Sequence, residues 1–226
     1  MALFSRRGAL EKSYDAVADE YSRRFADELQ HKPADRRLLD QFAGALAGEG
    51  PCIDLGCGPG HVTRYLHERG LDIAGIDLSG AMVKEAKRLH PDINFSRGDF
   101  RDLPAPDHFY SAAVAFYSLI HLSPGELVQA LLEIRRVIVP GGALLLAFHV
   151  GWEQQHLEDW WQREVDLEFH FFPLVEMVVH LQEAGFRQER AYQRDPYPGE
   201  DSKTRRGYIL AETLPGIPPA RRRTGL

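Results

Sequence analysis

Short runs of consecutive apolar residues recur along this chain and alternate with stretches of helical periodicity. A run that is apolar at every position indicates a strand covered on both faces, which is typical of a parallel sheet. Strands that alternate with helices form right-handed βαβ units, and successive units build a doubly wound α/β fold. Five strands are predicted in this way, at Cys52–Leu55, Ile73–Ile76, Ile93–Phe95, Ala112–Phe116 and Ala143–Phe148.

Capping residues and helix breakers mark where the intervening helices begin and end. Ser79 and Ser123 stand at the N-cap positions of two helices, since a serine hydroxyl accepts a hydrogen bond from the first helical turn. Pro91 and Gly185 each follow a helix that they end. The predicted helices are His61–Arg69, Ala81–Leu89, Pro124–Val139 and Leu174–Ala184.

The two ends of the chain differ from this repeating middle. Before the first strand, apolar stripes at helical spacing predict an all-helical segment over 10–47. After the fifth strand comes an aromatic segment over 149–172. Two late strands, near Ala191 and near Tyr208, are expected to pair as an antiparallel hairpin.

Length and charge exclude several classes of protein. The chain has 226 residues, which fits one domain. Its 27 basic and 33 acidic residues give a net charge of −6, which disfavours nucleic acid as a partner. Two cysteines, Cys52 and Cys57, suit a reducing compartment, so we expect a cytoplasmic protein. No apolar run has membrane-spanning length and no signal-like apolar stretch follows the N-terminus, so we expect no membrane association.

An acidic, glycine-rich turn, Asp54–Gly60, follows the first predicted strand. Its glycines have the spacing G-x-G-x-G, which differs from the G-x-G-x-x-G fingerprint of dinucleotide-binding proteins. Asp77 ends the second strand and Asp99 follows the third, so with Asp54 three carboxylates are expected at one crevice at the carboxyl ends of the strands. Such a crevice repels a triphosphate and attracts a cationic ligand that bears ribose hydroxyls.

In these motifs the chain resembles the class I S-adenosylmethionine-dependent methyltransferases of the small-molecule type. The resemblance covers roughly residues 10 to 212 and implies a Rossmann-like fold with a mostly parallel seven-stranded sheet. We expect one domain, 1–226, with a helical N-terminal cap (1–49), a cofactor-binding core (50–150), an aromatic substrate-lid insert (149–172) and a Pro- and Arg-rich, disordered tail (214–226). The matching segments are Ile53–Gly60, Gly75–Ser79 with Met82, Gly98–Phe100 with Leu103-Pro104, Leu132–Gly142 and Leu181–Phe186.

The resemblance implies S-adenosylmethionine as cofactor and S-adenosylhomocysteine as its demethylated product. It implies that Asp54 holds the amino group of the methionine part, that Asp77 accepts from both ribose hydroxyls and that Asp99 takes the adenine amino group. Tyr14 and Tyr21 resemble the helix that closes over the cofactor, although ordinary packing is the other interpretation. The implied cofactor-binding residues are Tyr14, Tyr21, Asp54, Gly56, Cys57, Gly58, Gly60, Asp77, Leu78, Met82, Asp99, Phe100, Tyr117 and Ser118.

Two histidines that follow the fourth strand and end the fifth, His121 and His149, are the candidate catalytic residues. A hydroxyl acceptor needs a base, whereas an amine or an electron-rich carbon needs little beyond alignment and exclusion of water. Each histidine is open to a second interpretation, as a neutral side chain bonded to backbone or water. No H-E-x-x-H or C-x-x-C pattern is present, so no metal is expected.

The sequence therefore predicts an enzyme that transfers a methyl group from S-adenosylmethionine to an O, N or C atom of a small molecule by direct displacement. The aromatic insert, with Trp152, Trp160 and Trp161, favours an aromatic or apolar acceptor, although packing or a dimer contact are alternatives. Other functions stay open: a methyltransferase acting on RNA or protein, a non-catalytic S-adenosylmethionine-binding protein, or a nicotinamide oxidoreductase. The oligomeric state is not predicted.

Overall fold

A computed structural model describes residues 2–198 and 203–215 of the chain. The predicted disordered tail lies, from residue 216 onward, outside the described residues. The helices are α1 (Ala2–Phe25), α2 (Pro33–Leu46), α3 (His61–His67), α4 (Gly80–Leu89), α5 (Pro124–Val137) and α6 (Leu174–Glu183). The strands are β1 (Cys52–Leu55), β2 (Ile73–Asp77), β3 (Phe95–Arg97), β4 (Tyr110–Phe116), β5 (Ile138–Val150), β6 (Gln154–Trp160), β7 (Arg163–His170), β8 (Phe186–Arg194) and β9 (Arg205–Thr213).

Seven of these strands form one twisted sheet in the order β3-β2-β1-β4-β5-β9-β8. Strands β1 to β5 are parallel to one another, and β9 pairs antiparallel with both β5 and β8. The chain builds outward from β1 to β3 and then returns to add β4 on the other side of β1. This reversal opens a crevice beyond the carboxyl ends of β1 and β4, which is where doubly wound sheets bind ligands. The predicted fold class is confirmed.

Four of the five predicted strands have other bounds in the structure, and the third and fifth differ most. The third strand is Phe95–Arg97 rather than Ile93–Phe95, because the Ile93 N–H bonds to the carbonyl of His90 and closes the turn after α4. The fifth strand begins at Ile138, where α5 has already ended. Its pairing with β4 shifts between Ile138 and Ala143, so the glycines expected only to end the helix lie in an irregular first part of the strand.

Apolar side chains cover both faces of the sheet, as consecutive apolar positions require. One core packs α5 and α6 against the sheet and includes Leu131 and Leu181, both fully buried. The other packs α2 and α3 against the opposite face and includes Leu39 and Leu66, which are also fully buried. These two layers fix the strands whose ends form the crevice.

Helix α1 and a β-ribbon lie over the carboxyl edge of the sheet. The aromatic segment, for which no strands were predicted, folds into the antiparallel pair β6–β7. Trp161 and Gln162 form its two-residue turn, both with positive φ (55° and 63°), as in the turns that match the twist of a hairpin. Val17 of α1, Met82 of α4 and Leu167 of β7 share a third core, which joins helix and ribbon to the edge of the sheet.

Candidate active site

A cavity at the carboxyl edge of the sheet brings together most of the predicted site residues. It extends from the glycine turn to the segment that follows β4, and α1 covers it. Gly60 and His149 are absent from its lining, and His61 and Arg101 join it without having been predicted. The predicted residues that line it are Tyr14, Tyr21, Asp54, Gly56, Cys57, Gly58, Asp77, Leu78, Met82, Asp99, Phe100, Tyr117, Ser118 and His121.

The glycine turn is held close to the segment after β4. Gly56 has a φ of +69°, and a Cβ on it would lie 2.4 Å from Cβ of Ser118, so only glycine fits there. Gly60, a predicted cofactor-binding residue, lies outside the cavity lining. A Cβ there would lie 2.6 Å from the Phe95 ring, so Gly60 allows α3 to begin against β3 rather than facing the cavity.

Asp77 fixes the floor of the cavity. Its Oδ2 accepts a hydrogen bond of 2.8 Å from the backbone N–H of Gly58, and its Oδ1 accepts one of 2.8 Å from the N–H of Ser79. Burial raises the pKa of Asp77 to about 6, and the charge of Asp15 acts in the same direction. A carboxylate has lone pairs beyond these two bonds, so Asp77 still has capacity to accept from a ligand's hydroxyl groups.

Asp54 and His61 stand at the glycine-turn end of the cavity. Thr63 Oγ1 donates to Asp54 Oδ2 over 2.6 Å, and burial raises the pKa of Asp54 to about 6. His61 Nε2 lies 2.7 Å from Glu28 Oε1, whereas His61 Nδ1 is buried and has no hydrogen-bond partner within the described part of the chain. His61 thus lines the cavity and leaves one buried ring nitrogen that no described residue satisfies. The only sequence signal for it is its place at the first helical position after the turn.

Asp99 is held by arginines at the opposite end. Arg101 Nε donates to Asp99 Oδ1 over 3.0 Å and Arg101 Nη2 to Asp99 Oδ2 over 2.8 Å, while Arg7 of α1 lies 3.3 Å from the same carboxylate. Burial alone would raise the pKa of Asp99. The hydrogen bonds and charge of Arg101 and the charge of Arg7 nevertheless bring it below its usual value.

Tyr14 and His121 meet across the cavity. The Tyr14 hydroxyl lies 2.6 Å from His121 Nε2, and His121 Nδ1 lies 2.8 Å from the carbonyl oxygen of Glu168 in β7. Burial lowers the pKa of His121 to about 4 and raises that of Tyr14. At neutral pH the cavity wall therefore carries a neutral imidazole bonded to a neutral phenol.

Tyr117 has strained backbone, with a φ of +60°, directly after β4. Its hydroxyl lies 3.1 Å from that of Tyr208, which in turn bonds to the buried Asp35. His149 lies behind Tyr117 rather than on the cavity wall: the two ring centroids are 5.3 Å apart, and His149 Nδ1 bonds to Thr204 Oγ1 over 2.6 Å. Burial, with the nearby Arg206 and Lys32, lowers the pKa of His149 to about 3.

The three tryptophans do not act as one group. Trp160 and Trp161 stack with centroids 4.5 Å apart, and Trp160 lies edge-on to Tyr14 and to Tyr21. They therefore support the tyrosines that line the cavity. Trp152 is 80% exposed and lies beside another surface groove.

The residues present fit S-adenosylmethionine. A sulfonium and an ammonium group are complementary to the carboxylates that line the cavity. A Cβ on Gly58 would meet only Tyr21, at 3.9 Å, so the turn leaves room for close approach of a ligand. His61 Nδ1 offers a polar contact at the same end. Among the described residues no group of three or more histidine, cysteine or acidic side chains could hold a metal ion, and none of the helices there has the length and apolar character needed to span a membrane.

Comparison with known proteins gives consistent matches. A family profile described as a methyltransferase domain matches residues 52–142. The chain is 34% identical over 180 residues to malonyl-[acyl-carrier protein] O-methyltransferase of Serratia marcescens, covering 78% of this chain and 64% of that protein. It is 38% identical over 112 residues to demethylmenaquinone methyltransferase of Beutenbergia cavernae, which covers 50% of this chain and 45% of that protein. The chain thus spans less than two thirds of either relative.

A solved DhpI–SAH complex has the same fold, with a TM-score of 0.70, 22% identity and coverage of 92% of this chain and 97% of that one. The profile covers the glycine turn, Asp77 and Asp99, which line the cavity described above. Residues 52–142 therefore carry a methyltransferase domain, and the relatives and the shared fold support the class I S-adenosylmethionine-dependent methyltransferase that the motifs predicted.

Proposed function

We propose that this protein transfers a methyl group from S-adenosylmethionine to an O, N or C atom of a small, aromatic or apolar acceptor in the cytoplasm. The proposal is based on one observation: a single cavity has two halves of different chemistry. An acidic, glycine-lined half suits a cationic cofactor, and a half walled by Tyr14, Tyr117 and His121 suits an acceptor.

The residues that would hold the cofactor follow from their contacts. Asp77 has acceptor capacity for ribose hydroxyls, Leu78 and Met82 offer apolar surface for adenine, and Asp99 offers a carboxylate for the adenine amino group. Asp54 and His61 stand at the end suited to the methionine part. When bound, the cofactor supplies a methyl group on a positively charged sulfur, which needs an aligned nucleophile and a dry site.

The chain's own residues would then align the acceptor and keep water out. Tyr14, Tyr21 and Trp160 form an aromatic wall in edge-on contact, and α1 closes over the cavity through Val17 and Ala18. His121 is the candidate base on that wall. His149, which touches Tyr117 from behind, is the second candidate and would act on the acceptor end through Tyr117.

The names of the two relatives support a small acceptor: one names a malonyl group on an acyl carrier protein and the other a demethylated menaquinone. Neither name mentions a nucleic acid. The net charge of −6 also disfavours an RNA acceptor.

The test is calorimetric titration of the purified protein with S-adenosylmethionine and S-adenosylhomocysteine, followed by transfer of a labelled methyl group to panels of small molecules, RNA and protein. We expect both ligands to bind with dissociation constants of about micromolar order and methyl transfer only to small molecules. Absence of binding would refute the proposal. Binding without transfer to any panel would favour a non-catalytic cofactor-binding protein, and salt-sensitive transfer to RNA would favour a nucleic-acid acceptor.

A further inference from the structure

The hydrogen bonds of His121 fix which atoms carry protons in the cavity wall. The carbonyl oxygen of Glu168 can only accept, so the hydrogen at His121 Nδ1, 2.8 Å away, is donated to it. A neutral imidazole has a single N–H, so Nε2 is bare and accepts the hydroxyl hydrogen of Tyr14 over 2.6 Å. Both hydrogen bonds therefore have a fixed direction: the Tyr14 hydroxyl donates to His121 Nε2, and His121 Nδ1–H donates to the Glu168 carbonyl.

The surroundings of the pair keep it neutral. His121 is half-buried, and the titratable groups that act on it or on Tyr14 are His170 of β7, His149 of β5, Asp77 of β2 and Tyr21 of α1. Burial opposes the charged form of the imidazole, and none of these groups is a carboxylate bonded to it. The imidazole therefore keeps a free electron pair for the Tyr14 proton throughout the neutral range.

Because the Tyr14 hydroxyl donates to His121, the Tyr14 oxygen has only lone pairs left to offer a ligand. Its single hydrogen is committed to His121, so Tyr14 Oη can accept a hydrogen bond from a cavity ligand but has none to donate. The ring is held in place by edge-on contacts with Tyr21 and Trp160, whose centroids each lie 6.1 Å away. A carboxylate acceptor would bring its own lone pairs against this oxygen, whereas a hydroxyl would bring a hydrogen.

From this geometry we propose that Tyr14 contacts the acceptor, that the acceptor is an alcohol or phenol that keeps its proton until transfer, and that His121 receives a proton through Tyr14. The inference rests on the proposed function, and among its O, N or C acceptors it selects a hydroxyl, because a hydroxyl both donates to Tyr14 Oη and needs the base that this pair supplies. Tyr14 is thereby a catalytic residue, and His121 a positioning residue that also stores the proton.

The step balances in atoms and charge. The hydroxyl oxygen forms a bond to the methyl carbon as the carbon–sulfur bond breaks, and the sulfur keeps that electron pair as a neutral thioether. The acceptor proton moves to Tyr14 Oη while the Tyr14 proton moves to His121 Nε2. One positive charge leaves the sulfur and one appears on the imidazolium, which donates from Nδ1 to the Glu168 carbonyl. A weak base suffices, because an oxygen that gains a third bond becomes a strong acid.

The first test measures the tautomer of His121 by 15N NMR in the complex with S-adenosylhomocysteine, in the wild type and in Tyr14→Phe. We expect the Nδ1-protonated tautomer in both, and a shift of the Nε2 resonance toward that of an unbonded nitrogen in the variant. An Nε2-protonated His121, or Nε2 shifts that are identical in the two proteins, would overturn the inference.

The second test compares two probes of similar shape, 1-naphthol and 1-naphthoate, as ligands of the same complex. We expect the wild type to prefer 1-naphthol, and Tyr14→Phe to reduce that preference about tenfold by removing one hydrogen-bond acceptor. A wild-type preference for 1-naphthoate, or a preference unchanged in Tyr14→Phe, would overturn the inference. Tyr110→Phe, on β4 outside the cavity lining, is the control and should leave the preference unchanged.

The third test has two purposes. It distinguishes a failure of this inference from a failure of the proposed function, and it tests whether the Tyr14 oxygen contacts the methylsulfonium group instead of the acceptor. Wild type and Tyr14→Phe are titrated with S-adenosylmethionine and S-adenosylhomocysteine. We expect Tyr14→Phe to change the two affinities by the same factor. Loss of affinity for S-adenosylmethionine alone would assign the Tyr14 oxygen to the methylsulfonium group and overturn the acceptor role. Failure of the wild type to bind either ligand would instead refute the proposed function.

Discussion

Asp77 Oδ2 accepts a 2.8 Å hydrogen bond from the backbone N–H of Gly58, so the acid that ends β2 holds the glycine turn that follows β1. The other carboxylate oxygen accepts from Ser79 and so fixes the start of α4. One side chain thus shapes the cavity floor and still faces the ligand. Its removal should act on cofactor affinity through both effects.

Asp77→Asn is expected to weaken S-adenosylhomocysteine binding by about 1–3 kcal/mol, because an amide has one oxygen and presents N–H groups where Gly58 and a ligand hydroxyl donate. Calorimetric titration measures the change. Asp72→Asn is the matched control, since Asp72 is exposed just before the same strand. Equal affinities for Asp77→Asn and wild type would contradict the assignment of the ribose to Asp77.

Proton release on cofactor binding is expected near pH 6. The pKa values of Asp54 and Asp77 are raised to about 6 in the ligand-free protein, above those of an unfolded chain. Their contribution to stability is therefore complete at acid pH, below the unfolded pKa, and is lost as the pH rises through about 6. A cationic ligand with hydroxyl donors favours the ionised carboxylates, so it lowers both pKa values and displaces protons.

Calorimetry at about pH 6 in buffers of different ionisation enthalpy measures these protons. Affinity should rise between about pH 5 and pH 7, and proton release should vanish near pH 8. Asp54→Asn and Asp77→Asn should each reduce the number released at about pH 6. Proton uptake in this range would show that the carboxylates are not the groups that meet the ligand.

His61→Leu is expected to discriminate between parts of the cofactor. His61 stands at the glycine-turn end with Nδ1 unpaired in the described structure, so its loss should weaken S-adenosylhomocysteine binding about tenfold. Methylthioadenosine lacks the amino-acid part, and its affinity should change little. His67→Leu, exposed at the far end of α3, is the control. A loss of equal size for both ligands would point to a general structural effect.

Gly60→Ala is expected to destabilise the fold more than Gly70→Ala. Both glycines have positive φ, +84° and +89°, so alanine costs about 1 kcal/mol of backbone strain at either position. A Cβ at Gly60 also meets the Phe95 ring at 2.6 Å, whereas Gly70 has open space around it. In urea unfolding, Gly60→Ala should lose about 1–3 kcal/mol more unfolding free energy than Gly70→Ala. Equal losses of unfolding free energy in the two variants would show that the Phe95 ring moves aside without destabilising the fold.

Local sequence patterns predicted the central strands and helices well, because apolar runs and capping residues determine these elements within a few positions of the chain. The strand at Cys52–Leu55 was predicted with the bounds that the structure has, since its residues are apolar or buried on both faces and end at a glycine. Ser79 caps α4 as expected, its hydroxyl accepting from the N–H of Met82. The ribbon β6–β7 was missed, because its turn uses Trp161 and Gln162 instead of the asparagine and glycine that signal such a turn.

The sequence by itself determined the fold class, the methyltransferase motifs and the set of acids at the cavity, because apolar periodicity and motif spacing are properties of neighbouring residues. Only the tertiary structure joined Tyr14 to His121 across 107 residues, moved His149 behind Tyr117 and turned Gly60 toward Phe95. The first pairing depends on how α1 and the ribbon pack over the sheet edge, and the other two depend on how the segments after β4 and β1 pack against β5 and β3. That packing is decided by the burial of side chains far apart in the chain, which local spacing does not encode.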